Sequence, residues 1–190
     1  MSLFDKLRRK KNTVSVSKEA ELQAAQFMAE MQQYMNRPLA IEDILSRPYS
    51  PDVLLDTYDY YMRKYDYDCN RCSCMVVRDF LLTELFENEI NNGGLSQFLF
   101  NSSGNDFEDT ISALRHIRAD NAAEILEKVR ALFPGNTVPR DREIRCDLME
   151  KLGAVLEDAL DKWESPLYAM DFSSLQYAYL QMHKAEFLSI

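Results

Sequence analysis

Asn91–Gly104 reads NNGGLSQFLFNSSG. Gly93 and Gly94 follow directly on an apolar helical pattern, and glycine is the residue that enters the left-handed conformation without strain. Asn91–Gly94 therefore predicts a tight corner. Leu95, Phe98, Leu99 and Phe100 then make the next segment apolar almost all round, as a short buried helix would be. Gln97 and Asn101 stand one turn apart on one face. Buried amides need hydrogen-bond partners, and corner backbone offers them. Ser102–Gly104 ends the segment. The stretch reads as architecture: helix, corner, buried helix, corner, helix. Its structural residues are Asn91, Asn92, Gly93, Gly94, Gln97, Phe98, Asn101 and Gly104.

Working outward, Met75–Ile90 has helical periodicity at Val77, Phe80, Leu81, Leu85 and Phe86. Ser17 is placed to cap a helix reaching about Asn36, and Ser50-Pro51-Asp52 has the order expected of a helix start. Asn105 to Glu108 has capping-box form. Asp120 is expected to cap the next helix, and Asp141 a long one to about Trp163, broken at SPLYAM. Ser173 with Gln176 forms a last capping box. No β-alternation, internal repeat or low-complexity segment appears. Only 5 glycines and 6 prolines in 190 residues argue against a turn-rich β-sandwich and for helices. The expectation is an all-α single globular domain of about eight helices over 18–190, behind a basic, flexible tail over 1–17.

That tail carries the charge asymmetry. Residues 1–18 hold six basic side chains and one acid, while the other 172 hold 16 basic and 30 acidic side chains. Met1, Leu3, Phe4 and Leu7 beside the basic cluster could touch a membrane surface, but the segment is too short to anchor alone. No apolar run approaches the length of a membrane span, and no secretory signal core is present. A cytoplasmic protein with reduced thiols is expected.

An acidic body repels nucleic acid and attracts basic partners. Two stripes repeat at helical spacing: Asp52, Asp56, Asp59 and Asp66, then Glu150, Glu157, Asp161 and Glu164. Solvated helix faces are the ordinary reading of such stripes. The sharper reading is a two-row array offered to a basic protein. Duplex DNA carries about one charge per 1.7 Å, so a body roughly 40 Å across matches on the order of 24 phosphates. The acids reach that number only if the basic residues sit on another face.

Cys69, Cys72 and Cys74 lie in CNRCSC. Cys69 and Cys72 have zinc-knuckle spacing, with Cys146, His116 or His183 left to complete a site. A second CxxC or CxxH is missing, so a loop with reduced thiols and no cofactor is the expectation. His116 and His183 read as surface or half-buried side chains, and no nucleophile–base constellation is visible along the chain. Tyr58, Tyr61 and Tyr65 share a helical face, and core packing is the default for such a stripe.

The NNGG corner, Gln97, Phe98, Phe100, the NSSG ending and the following Ala113-Leu114 resemble the signature of a bacterial family long listed as a domain of unknown function. That family includes an acidic DNA-mimic protein. The resemblance covers roughly 75 to 185 and departs at Leu95, where an aromatic is usual. It implies an all-helical fold, a homodimer, no catalytic residues, and a partner that is a DNA-binding transcription regulator engaged on its DNA-binding face. Direct nucleic-acid binding by this chain is not expected. The alternatives are an immunity-like inhibitor of a basic toxin and a zinc or thiol protein built on CNRCSC.

Overall fold

Among the described residues, Ser17, Asp141 and Asp171 each cap the start of an α-helix with a side-chain oxygen, whereas Ser50, before Pro51, makes no such bond. Ser17 accepts the Ala20 N–H at 3.2 Å and opens α1 (Lys18–Met35), satisfying one of the donors a helix leaves unpaired. The computed structural model describes residues 17–190, so the basic tail lies outside the described residues. Residues up to Pro38 form one unit and Leu39–Ile190 another. Within the first, α1 buries none of its side chains, and the Arg37 guanidinium lies over the Tyr34 ring at 3.6 Å.

The second unit contains α2 (Ile41–Ser46), α3 (Pro51–Lys64), α4 (Met75–Phe100), α5 (Phe107–His116), α6 (Asp120–Arg130), α7 (Arg142–Leu152), α8 (Ala154–Tyr168), α9 (Phe172–Met182) and α10 (Lys184–Leu188). Among the described residues there is no strand. The chain is all-α, as its periodicity predicts.

α4 is the axis of this unit, because it is apolar on more than one face and must be covered on each. It packs against α3, α5, α7, α8, α9 and α10. On one side Phe86, Phe98, Phe107 and Leu126 form a core. On the other, Ile44, Tyr61, Phe80 and Phe187 form a second. Tyr61 is fully buried there, and its hydroxyl donates to the Phe187 carbonyl. Tyr58 and Tyr65 pack half-buried against the same core, so the tyrosine stripe is packing rather than an open surface.

Four local expectations are corrected. The predicted single helix from Asp141 to Trp163 is two, because Gly153 sits at φ 48 between α7 and α8. Asp141 does cap α7, accepting from Ile144 N at 3.0 Å, but α8 runs through Pro166 to Tyr168. The Asn105 capping box does not form: Ser102–Asp106 is a 3-10 turn, α5 starts at Phe107, and Asn105 turns its side-chain oxygen to Arg145 instead. Asp120 is the first residue of α6, not its cap. Asp171, not Ser173, caps α9, taking the Ser174 N–H at 3.1 Å.

Candidate partner-binding face

The Asn91–Gly104 stretch bends α4 and then fastens it. Gly94 has φ 72 and ψ −166, a conformation that an L side chain enters only with strain. The missing Cβ also matters, since one built there would overlap the Glu164 carboxylate. That carboxylate reaches in from α8 and accepts the Leu95 N–H at 2.8 Å. It caps the restarted helix at its positive end.

Below the corner, Glu89 receives three donors: Gln97 Nε2 at 2.7 Å, Asn101 Nδ2 at 2.9 Å and Ser103 Oγ at 2.7 Å. The helix's far end is held by Arg145 of α7, which has no accessible surface. Its guanidinium donates to the carbonyls of Leu99, Asn101, Pro139 and Arg140 and to Asn105 Oδ1. All its donor directions are used, and a cation sits at the negative end of α4. Gly104 makes room: a Cβ there would stand 2.7 Å from the Phe98 carbonyl and 3.0 Å from Arg145 Nε. Phe98 packs edge-on to Phe86 at 5.1 Å. Asn91 and Asn92 are exposed. The motif is thus a structural knot, with Glu89, Arg145 and Glu164 as members that lie outside the stretch itself.

The acidic residues of α3 are mostly occupied. Asp52 is exposed in the first turn. Asp56 is buried and accepts from Arg47 at 2.6 Å. Asp59 is half-buried under a two-bonded clamp from Arg63 at 2.9 and 2.6 Å. Asp66 falls past the end of the helix, in a left-handed conformation, and pairs with Arg71.

The acids of α7 and α8 differ. Glu143, Asp147 and Glu150 on α7 and Glu157, Asp158 and Asp161 on α8 are exposed and have no ion pair among the described residues. Glu164, the fourth of the expected stripe, is taken up in capping Leu95. The Gly153 break splits the stripe over two helices, yet it does not scatter it. Glu150 and Glu157 line one groove of about 420 Å³, whose apolar wall includes Phe100, Met149, Leu156 and Leu160. Phe100, expected to be buried with Leu95, Phe98 and Leu99, is instead half-exposed beside it, because it ends the helix on the side facing this groove, with the Arg142 guanidinium 4.4 Å over its ring.

Cys69 and Cys72 are buried in the Tyr61 core, where burial pushes the Cys69 thiol up to about 11. Cys74 and Cys146 are half-buried. Among the described residues no three His, Cys, Asp or Glu side chains gather as metal ligands. Each histidine has an acidic partner. His116 Nδ1 lies 2.7 Å from Asp79, and His183 Nδ1 lies 3.1 Å from Glu186. Asp79 stands 37 residues before its histidine, too far apart for any spacing rule to join them.

A family model described as DMP19-like protein matches residues 76–183. The matched span is more than half of the 190 residues. It contains the whole knot, with Glu89, Arg145 and Glu164, and the acids of α7 and α8. It leaves out α3. No curated protein and no solved structure matches the chain at a significant level.

Proposed function

We propose, for a chain that belongs to the DMP19-like family, that it is a DNA-mimic type of binding protein whose α7–α8 face engages a basic, nucleic-acid-binding protein. The observation that carries this reading is the set of six exposed carboxylates on α7 and α8 with no internal cation. Three basic side chains share those helices on the outside: Arg142, Lys151 and Lys162. Arg142 is already engaged, donating to the Phe100 carbonyl at 2.7 Å. The remaining field is negative, and such a field steers a basic partner and excludes nucleic acid.

The groove supplies a second component. Charge alone gives attraction and rate, whereas an apolar pocket ringed by charge gives a buried anchor. An apolar side chain from the partner seated among Met149, Leu156 and Leu160 would place its flanking lysines or arginines on Glu150 and Glu157. The partner we assign is a DNA-binding regulator, held on the surface it uses for DNA. Four free thiols suit a reducing compartment, and no described helix is long and apolar enough to cross a membrane.

The test reverses charge where it is unpaired. The triple variant Glu150→Lys, Glu157→Lys, Asp161→Lys is compared with the wild type in capturing a partner at two salt concentrations, followed by elution with duplex DNA. The wild-type complex is expected to weaken steeply with salt, because the Debye length falls from about 10 Å at 0.1 M to about 3 Å at 1 M. DNA should displace the partner, and the triple variant should not capture it. A partner that stays bound in high salt, ignores DNA and accepts the triple variant would overturn the reading.

A further inference from the structure

A cavity of about 510 Å³ opens between the start of α4, the end of α5 and α9. It is lined by no residue of α7 or α8 and is separate from the acidic face. Its volume lies in the range of small-molecule sites. Val76, Ile117 and Leu175 make its apolar wall, and Met75 and Met182 stand at its edge, 67% and 77% exposed. Methionine is the side chain that reshapes most readily around an apolar guest.

The polar groups converge from three helices. Asp79 is buried, and its Oδ2 takes both the His116 Nδ1 at 2.7 Å and the Tyr179 hydroxyl at 3.0 Å. A carboxylate can only accept, so His116 donates through Nδ1 and its Nε2 lies outside this bond. Asp79 is also the one acid among the cavity's lining residues. Two arginines, Arg115 and Arg118, flank His116 and Ile117 in the lining at the end of α5. Arg115 is paired with Glu127 at 2.8 Å. Arg118, held at φ 69, has no ion pair among the described residues. The first turn of α4 adds to this field, since Cys74 gives it no side-chain cap and no acid occupies it. The opposing negative end of α5 carries its own bases, Arg115 and His116. In a chain of net charge −9, this is a local site with the opposite preference.

We propose that the cavity binds a small organic anion, a carboxylate carried on an apolar chain or ring, with Arg118 meeting the charge and the wall of Val76, Ile117 and Leu175 covering the body. Asp79 acts as a positioning residue, holding His116 and Tyr179 in place around the guest.

The experiment uses the full chain and octanoate as probe, with octanol and octylammonium as uncharged and oppositely charged matches of the same chain length. Binding is followed by calorimetry and by methyl signals of isotopically labelled methionines. Octanoate is expected to bind one to one and to move the Met75 and Met182 signals while Met28 and Met149 stay still. Octanol and the Arg118→Gln variant should each weaken binding roughly tenfold, the effect of losing one charge-assisted hydrogen bond. Ala178→Trp, which fills the cavity from α9, should abolish the Met75 and Met182 shifts. The proposal fails if octanoate gives no heat and no shift. It fails equally if octylammonium binds as well, if all methionines move together, or if Arg118→Gln and octanol match the wild type with octanoate. None of these outcomes bears on the acidic face, which has its own test.

Discussion

On α3, Asp56 and Asp59 meet Arg47 and Arg63; on α7 and α8, Glu150, Glu157 and Asp161 meet water. The sequence spaces both sets by helical steps, and by count they are equal. What separates them is where the arginines come from. Arg63 is one turn away on the same helix, Arg47 arrives from the preceding connector, and Arg71 from the turn that follows. On α7 and α8, Lys151 and Lys162 stand one turn from Asp147 and Asp158 but form no ion pair among the described residues, and the one inward cation, Arg145, is spent on carbonyls. An acid that is neutralised within the fold contributes to the fold and little to the outer field. An acid left alone does the reverse.

The sharpest way to break that comparison is at Arg145, whose five donor hydrogens are all engaged. Arg145→Met removes five donated hydrogen bonds and leaves buried carbonyls at the end of α4 without partners. Stability should fall by about 3–5 kcal/mol, the range for breaking a buried polar network. Urea denaturation measures it, and a change below about 1 kcal/mol would mean the knot is redundant.

Glu84 extends the comparison to a third kind of acid, buried and without a cation. Its Oε1 has no hydrogen-bond partner, and burial, with Glu87 nearby, pushes its carboxyl up to about 8. The folded protein therefore holds a proton that the unfolded chain releases at ordinary carboxylate pH. Stability is fully present below the unfolded carboxylate range, falls as pH rises toward about 8, and levels off above it. The slope from this group is at most about 1.4 kcal/mol per pH unit. In Glu84→Gln that slope should largely disappear, so melting temperatures at pH 5 and pH 9 lie closer together than in the wild type. Equal pH profiles for the two proteins would show that Glu84 is ionised and solvated in the fold.

The smallest expected effect compares two members of one stripe. Glu164→Ala removes the acceptor from Leu95 N and should cost about 1–2 kcal/mol, as loss of a helix cap does. Glu157→Ala, about two turns away on the same helix, should stay within about 0.5 kcal/mol and instead weaken partner capture. If thermal melts give the two variants the same loss, Glu164 and Glu157 do the same job and the division between folding acids and facing acids is wrong.

Periodicity made the helices and the buried segment after Gly94 legible, because both follow from local backbone preference and an apolar face. The amides of Gln97 and Asn101 were legible as needing partners, but Glu89, their partner, was not, since nothing local distinguishes it from any other exposed-looking glutamate. The same holds for the helix starts. Asp141 follows the capping rule, while Asn105, with equally suitable chemistry, is drawn away by Arg145 from α7.

The amino-acid sequence by itself determined the helical class, a left-handed corner at Gly93 or Gly94, the burial of Leu95, Phe98 and Leu99, and the excess of acid in the body. Each depends on side chains within a few residues of one another, where backbone geometry sets the neighbours. Only the tertiary structure decided which acids are free. It brought Glu164 to Leu95 across 69 residues, Asp79 to His116 across 37 and to Tyr179 across 100. Helical spacing says which residues share a face. It does not say which other helix that face will meet, and for a carboxylate the meeting decides whether its charge is spent inside the protein or offered outside it.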